Sequence, residues 1–108
     1  MNNFTYTCEL DRVVDGDTVD LVVDLGFRVQ TRGRVRLLGF DAPEPRGDTR
    51  EEGREATRQV VLWFERNLAE ELYLCSEKSG KYGRWLGDIF YCRGERKVSL
   101  IEHLLNGG

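Results

Sequence analysis

Four short clusters hold the side chains of this sequence that can do chemistry: Asp15-Gly16-Asp17-Thr18, Arg34-Val35-Arg36, Asp41-Ala42-Pro43-Glu44 and Lys81-Tyr82-Gly83-Arg84. Singly, each has an ordinary reading: a hairpin turn, the charged face of a strand, a loop, and the entry to a strand. Together their types match the needs of phosphodiester hydrolysis. That reaction requires charge neutralised on the nonbridging oxygens, an oriented water, and stabilisation of the added negative charge in the transition state. Asp17 after a turn and Asp41 at a strand end can converge with a backbone carbonyl on one hard cation. An oxygen-only donor set with no neighbouring His or Cys favours Ca²⁺ or Mg²⁺ over zinc. Glu44, set off from Asp41 by the rigid Pro43, is displaced enough to act on a bound water. Arg36 and Arg84 are permanently charged forks able to clamp a phosphoryl group bidentately.

The elements that must position these groups follow from periodicity. Thr5–Leu10 with Val13-Val14, and then Thr18–Leu25, are rich in β-branched residues and read as strands. Asp15-Gly16-Asp17 between them reads as a turn, with Gly16 free to take a positive φ. A third strand runs from Phe27 to Leu38. Its alternation puts Arg34 and Arg36 on one face and Val35 and Leu37 on the other, with Gly33 as a candidate bulge. The stretch 39–47 holds both prolines and reads as a loop. Thr49-Arg50-Glu51-Glu52 has capping-box spacing ahead of a helix whose apolar face is Ala56, Val60, Trp63, Phe64 and Leu68. Glu71–Cys75 and Trp85–Tyr91 read as two further strands, and Val98–Leu105 as a final short helix stopped by Asn106-Gly107-Gly108. The order βββ-α-ββ-α, five strands with an intervening helix, predicts a five-stranded OB-fold-like barrel of the α+β type.

At 108 residues the chain is expected to form a single domain, 1–108. Its three cysteines, Cys8, Cys75 and Cys92, have no CxxC spacing, so neither a disulfide framework nor a structural zinc site is expected; they read as small buried residues in a reduced cytosol. With no signal peptide and no membrane-length apolar run, the expectation is a soluble cytoplasmic domain without membrane partners, monomeric by default. The net charge of −3 argues at first against a nucleic-acid partner. Its distribution argues otherwise: residues 1–24 carry a charge of −5, residues 25–58 hold eight arginines against six acids, and 13 of the 16 basic residues are Arg. Trp63 and Trp85 read as core residues, and His103 as a packing or surface histidine in the last helix.

In this order and at these spacings, the four clusters resemble the staphylococcal nuclease (thermonuclease) family. Gly53-Arg54-Glu55-Ala56 and Ser99-Leu100-Ile101 extend the likeness over roughly residues 5–107. The resemblance implies a calcium-dependent endonuclease that leaves 5′-hydroxyl and 3′-phosphate ends on DNA or RNA. It implies one Ca²⁺ held by Asp17, Asp41 and the main-chain carbonyl of Ala42, where the familiar members carry Thr. Glu44 becomes the general base, Arg36 and Arg84 the transition-state stabilisers, and Lys81 and Tyr82 contacts to a terminal phosphate. The familiar members continue into a third helix preceded by base-stacking tyrosines, which this sequence lacks, so weaker binding of single-stranded DNA or RNA is expected. The alternative is a catalytically weak or inactive OB-fold nucleic-acid-binding module.

Overall fold

The computed structural model describes residues 4–79 and 85–107. Strands β1 (Phe4–Asp15), β2 (Thr18–Asp24) and β3 (Gln30–Leu37) form a meander. A 3₁₀ turn at Gly47–Thr49 leads into helix α1 (Arg50–Arg66), followed by β4 (Leu72–Ser79), β5 (Trp85–Arg93), the short β6 (Arg96–Ser99) and helix α2 (Leu100–Leu105). The sheet order is β3-β2-β1-β4-β5-β6. Parallel pairing of β3 with β5, Val35 opposite Trp85 and Leu37 opposite Gly87, closes the first five strands into a barrel. This is the OB-fold-like α+β barrel that the element order predicts. The sixth strand is a hairpin extension of β5, and it takes in Val98 and Ser99, which helical periodicity had assigned to the last helix.

Closure depends on β1, which pairs with β4 through Phe4–Cys8 and with β2 through Cys8–Asp15. Register shifts between Leu10 and Arg12 and between Val13 and Asp15 bend it from one neighbour to the other, as bulges do at barrel corners. The inward residues of β2 and β3, Val19, Leu21, Val23, Val35 and Leu37, are essentially inaccessible and meet Leu74 and Ile89 from β4 and β5. Val60, Trp63 and Phe64 from α1 cap this core, with the Trp63 and Phe64 rings edge to face at 5.2 Å. Leu68, expected on the same helical face, lies beyond the helix end and is exposed. Asn67 stops α1 by donating its backbone N–H to the Phe64 carbonyl and its side-chain amide to the Trp63 carbonyl. Trp85 is half-buried against the core cluster. Of the cysteines, Cys8 is buried and its thiol is pushed up to about 12 by burial and then by the Glu9 charge. Cys92, expected inside, is exposed.

Gly33 marks no bulge: the β2–β3 register runs unbroken through its pairing with Leu21. A Cβ there would meet the Trp85 ring at 3.1 Å, so the glycine makes room for the indole. Asp88, by its pattern an ordinary residue of β5, anchors α2. Its carboxylate accepts from the Ser99 hydroxyl at 2.5 Å and the Ile101 N–H at 3.2 Å, while Ser99 Oγ accepts from the Glu102 N–H. A six-residue helix leaves most of its N–H groups without internal partners, and these two acceptors satisfy part of that need. Among the described residues no helix is long and apolar enough to cross a membrane.

Candidate functional site

Two stretches distant in sequence, 15–18 and 36–44, meet at one end of the β2–β3 hairpin. The last residue of β1, Asp15, and the turn after it, with Asp17, face the end of β3, with Arg36, and the loop after β3, with Asp41, Ala42 and Glu44; together they line a cavity of about 200 Å³. Asp17 is tied to this end by its backbone, because its carbonyl accepts from the Leu37 N–H at 2.8 Å, and the neighbouring pair Thr18–Arg36 is in ladder register. The loop is held by the Ala42 N–H, which donates to Asp17 Oδ2 at 3.0 Å.

Two glycines bring these segments close. Gly16 is not among the positive-φ residues; it is glycine because a Cβ would stand 2.6 Å from the Ala56 Cβ and 2.7 Å from the Ala42 Cβ. Gly53, in the first turns of α1, is buried with the loop backbone directly on it, and a Cβ there would stand 2.4 Å from the Pro45 nitrogen and 2.5 Å from the Glu44 carbonyl carbon. Thr49 makes no capping hydrogen bond to the helix, contrary to the capping-box expectation. Its hydroxyl donates instead to the Glu44 carbonyl at 2.6 Å and lies 3.1 Å from the Arg46 carbonyl, fastening the loop to the helix start. Gly53→Ala is expected to force this loop outward and to destabilise the fold by about 1–3 kcal/mol. Thermal denaturation reads this directly, and an unshifted midpoint would show that the loop yields freely.

The electrostatics are dominated by carboxylates around one guanidinium. Arg36 pairs through Nη2 with the Asp41 carboxylate and lies 3.7 Å from Asp17 Oδ2. Burial pulls the Asp17 carboxyl upward, but hydrogen bonds with Asp15, the Ala42 N–H and Thr18, together with the Arg36 charge, outweigh it and hold Asp17 below the usual range. Asp15 moves the other way: burial raises it first, then its bond with Asp17 and the Asp17 charge. The two neighbouring carboxyls are thus driven in opposite directions, Asp15 toward the protonated form and Asp17 toward the ionised one. Glu44 is exposed and pairs with Arg46 at 3.1 Å.

The donor chemistry suits a hard cation, since Asp17, Asp41, Glu44 and the loop carbonyls offer oxygen only and the acids outnumber the single cavity arginine. Arg36, however, stands between Asp17 and Asp41, and among the described residues no three acidic, His or Cys side chains are gathered closely enough to hold an ion. The residues thus fit such a cation in type and charge, with Arg36 neutralising the pair of acids in this arrangement. Of the other predicted site residues, Lys81, Tyr82 and Arg84 lie outside the described residues. The described chain resumes at Trp85, opposite Val35 and one residue from Arg36 in the parallel ladder. Asp15 and Thr18 also line the cavity and flank Asp17, Asp15 accepting from the Asp17 N–H at 3.1 Å and Thr18 donating its hydroxyl to Asp17 Oδ1 at 2.9 Å; their places in the Asp15–Thr18 cluster are the signal for them in the sequence. His103 lies away from the cavity, its Nε2 buried without a hydrogen-bond partner among the described residues.

The fold and site define an OB-fold-like barrel with a polar, carboxylate- and arginine-lined cavity at one end of its β2–β3 hairpin. No protein-family model matches the chain. The chain is similar to a protein named Protein ParB from Escherichia coli, 39% identical over 83 residues, which cover 76% of this chain and 40% of that protein. The chain thus spans well under half the length of the curated relative it matches.

Proposed function

We propose that this chain is a phosphodiesterase of the staphylococcal nuclease type, cutting DNA or RNA with the help of a divalent cation, Ca²⁺ by preference. The observation that carries this reading is the meeting of Asp17 with Arg36, Asp41 and Glu44, from a distant stretch of the chain, in one polar cavity. A barrel that only needed to fold would gain little from drawing together acids whose mutual repulsion must be offset.

In this reading Asp17, Asp41 and the Ala42 carbonyl would hold the cation, which would supply positive charge to offset that of the phosphate. Arg36 and Arg84 present N–H donors to the nonbridging oxygens and stabilise the charge gained in the transition state. Glu44 orients a water and takes its proton as the water oxygen bonds to phosphorus. The bond from phosphorus to the 5′ oxygen breaks, and that oxygen leaves with a proton from solvent. The products are a 5′-hydroxyl and a 3′-phosphate. Lys81 and Tyr82 contact a terminal phosphate.

One observation favours a second reading, a nucleic-acid-binding module without turnover: the Arg36 guanidinium is already engaged by both Asp17 and Asp41. Incubating the chain with single-stranded DNA and with RNA, in Ca²⁺ or in EDTA, separates the two. Cleavage in Ca²⁺ that EDTA abolishes, with 3′-phosphate and 5′-hydroxyl ends, is the expected result. Binding of either nucleic acid without cleavage in any cation would establish the module instead.

A further inference from the structure

The acids of the cavity differ in how firmly they are held. Asp41 and Glu44 stand on the loop after β3, with side chains 85% and 71% exposed. The Asp17 side chain is only 14% exposed, and every polar group of this residue is engaged. Its N–H donates to Asp15 Oδ1 at 3.1 Å, and its carbonyl accepts from the Leu37 N–H at 2.8 Å. Of the carboxylate oxygens, Oδ1 accepts from the Thr18 hydroxyl at 2.9 Å and Oδ2 from the Ala42 N–H at 3.0 Å. The last torsion of an aspartate is broad, so an untethered carboxylate turns at little cost. One donor on each oxygen removes that freedom.

The two donors are of different kinds. The Ala42 N–H belongs to the loop, whereas Thr18 is the first residue of β2. Thr18 is paired on one side with Asp15 of β1 and on the other with Arg36 of β3. It is buried, and its β-branched side chain has few rotamers open to it. The sheet therefore fixes where the hydroxyl stands. Packing alone would be served at such a position by Val, which has the same shape and no polar atom to satisfy. Thr18 instead directs its single hydroxyl proton at Asp17.

We infer that Thr18 is a positioning residue, whose hydroxyl aims the Asp17 carboxylate into the cavity in the orientation that a divalent cation requires. The cation rests on the phosphodiesterase reading of the cavity; the aiming of Asp17 rests on the hydrogen bonds themselves. A carboxylate fixed by donors before the ion arrives is the better ligand, and loss of such a partner typically weakens metal binding by about 10–100-fold. The loop gains from the same contact. With Oδ1 held by Thr18, Oδ2 is turned toward the Ala42 N–H, so the hydroxyl also sets how firmly the loop carrying Asp41 and Glu44 is tied to the sheet.

The test compares Thr18→Val and Thr18→Ala, which lose the hydroxyl, with Thr18→Ser, which keeps it. Isothermal titration with CaCl₂ is expected to show about 10-fold or more weaker binding in Thr18→Val and Thr18→Ala, and binding like wild type in Thr18→Ser. Stability should rank the variants differently. Thr18→Val keeps the buried methyl that Thr18→Ser and Thr18→Ala lose, so its thermal midpoint is expected above theirs. Calcium affinity that follows the midpoint instead of the hydroxyl makes Thr18 a structural residue and overturns the inference. Equal affinity in wild type and Thr18→Val overturns it as well.

Hydrogen exchange of the Ala42 amide in EDTA, read by NMR, needs no cation. It is expected to be about 5-fold or more faster in Thr18→Val and Thr18→Ala, and near wild type in Thr18→Ser. If wild type binds no Ca²⁺, the proposed function fails in its cation and the exchange rates decide. Faster exchange without the hydroxyl then keeps Thr18 as the residue that positions Asp17, in a site of other chemistry; unchanged exchange overturns that role.

Discussion

Replacing Glu44 with glutamine is expected to slow cleavage by roughly 10²–10⁴-fold, the range over which a positioned general base acts, while leaving the thermal midpoint unchanged. The part of Glu44 that the fold uses is its backbone: the carbonyl accepts from Thr49, and the carbonyl carbon packs where a Gly53 side chain would otherwise stand. The carboxylate is exposed and its ion partner is Arg46, a neighbour on the same loop. Glutamine keeps the shape and can still accept from Arg46, but it cannot take a proton from water. Single-turnover cleavage at saturating single-stranded DNA reads the chemical step, and binding of uncleaved substrate in EDTA is expected to match wild type. An unchanged single-turnover rate would remove Glu44 from the mechanism.

Replacing Arg36 with alanine is expected to lower the rate by roughly 10²–10³-fold, as loss of one preorganised charge stabiliser does, and to strengthen calcium binding. The two effects come from the same geometry. Arg36 pairs with Asp41 and lies near Asp17, so its removal frees both acids and makes the cavity more negative. A positioning residue or a simple structural residue would weaken both rates and calcium binding, or neither. Isothermal titration with Ca²⁺ and steady-state kinetics on one preparation distinguish these cases; calcium binding weaker than in wild type would place Arg36 in support of the ion site. Arg36→Lys retains the charge without the planar fork and is expected to recover only part of the rate.

The same variant has a defined pH signature. Burial acts against the depressed Asp17 carboxyl, but its hydrogen bonds and the Arg36 charge prevail, so its folded value lies below its unfolded one. Such a group contributes stability that is present above the unfolded value and lost as pH falls through the folded value. Losing Arg36 removes part of that contribution. The stability gap between wild type and Arg36→Ala is therefore expected at neutral pH and should shrink as acid protonates Asp17 in both proteins.

Much of this molecule is written locally. Strand runs rich in β-branched residues, the double-proline loop and the spacing of Val60, Trp63 and Phe64 each depend on residues within a few positions of one another. They specify strand, loop and helix wherever the chain finds itself. The charged clusters were legible for the same reason: Asp17, Arg36, Asp41 and Glu44 are types that a core does not recruit, and alternation alone places Arg36 on the face opposite Val35.

Other features arise only when distant segments touch. Gly16 and Gly53 look like a turn residue and an indifferent helix residue, yet both are glycine because another backbone or side chain occupies the space of a Cβ. Thr49 carries the spacing of a helix cap but fastens the Glu44 loop instead, since the folded loop brings carbonyl acceptors within its reach. The fully exposed Phe27 and the anchoring Asp88 read in sequence as ordinary strand residues. Periodicity and side-chain chemistry are local properties, and they carry the first five strands, both helices, the barrel class and the residue types of the cavity, but not the short β6, whose Val98 and Ser99 carry helical spacing. Which acids meet Arg36, and the opposite pull on the Asp15 and Asp17 carboxyls, follow only from closing β3 onto β5 and from distances across the fold.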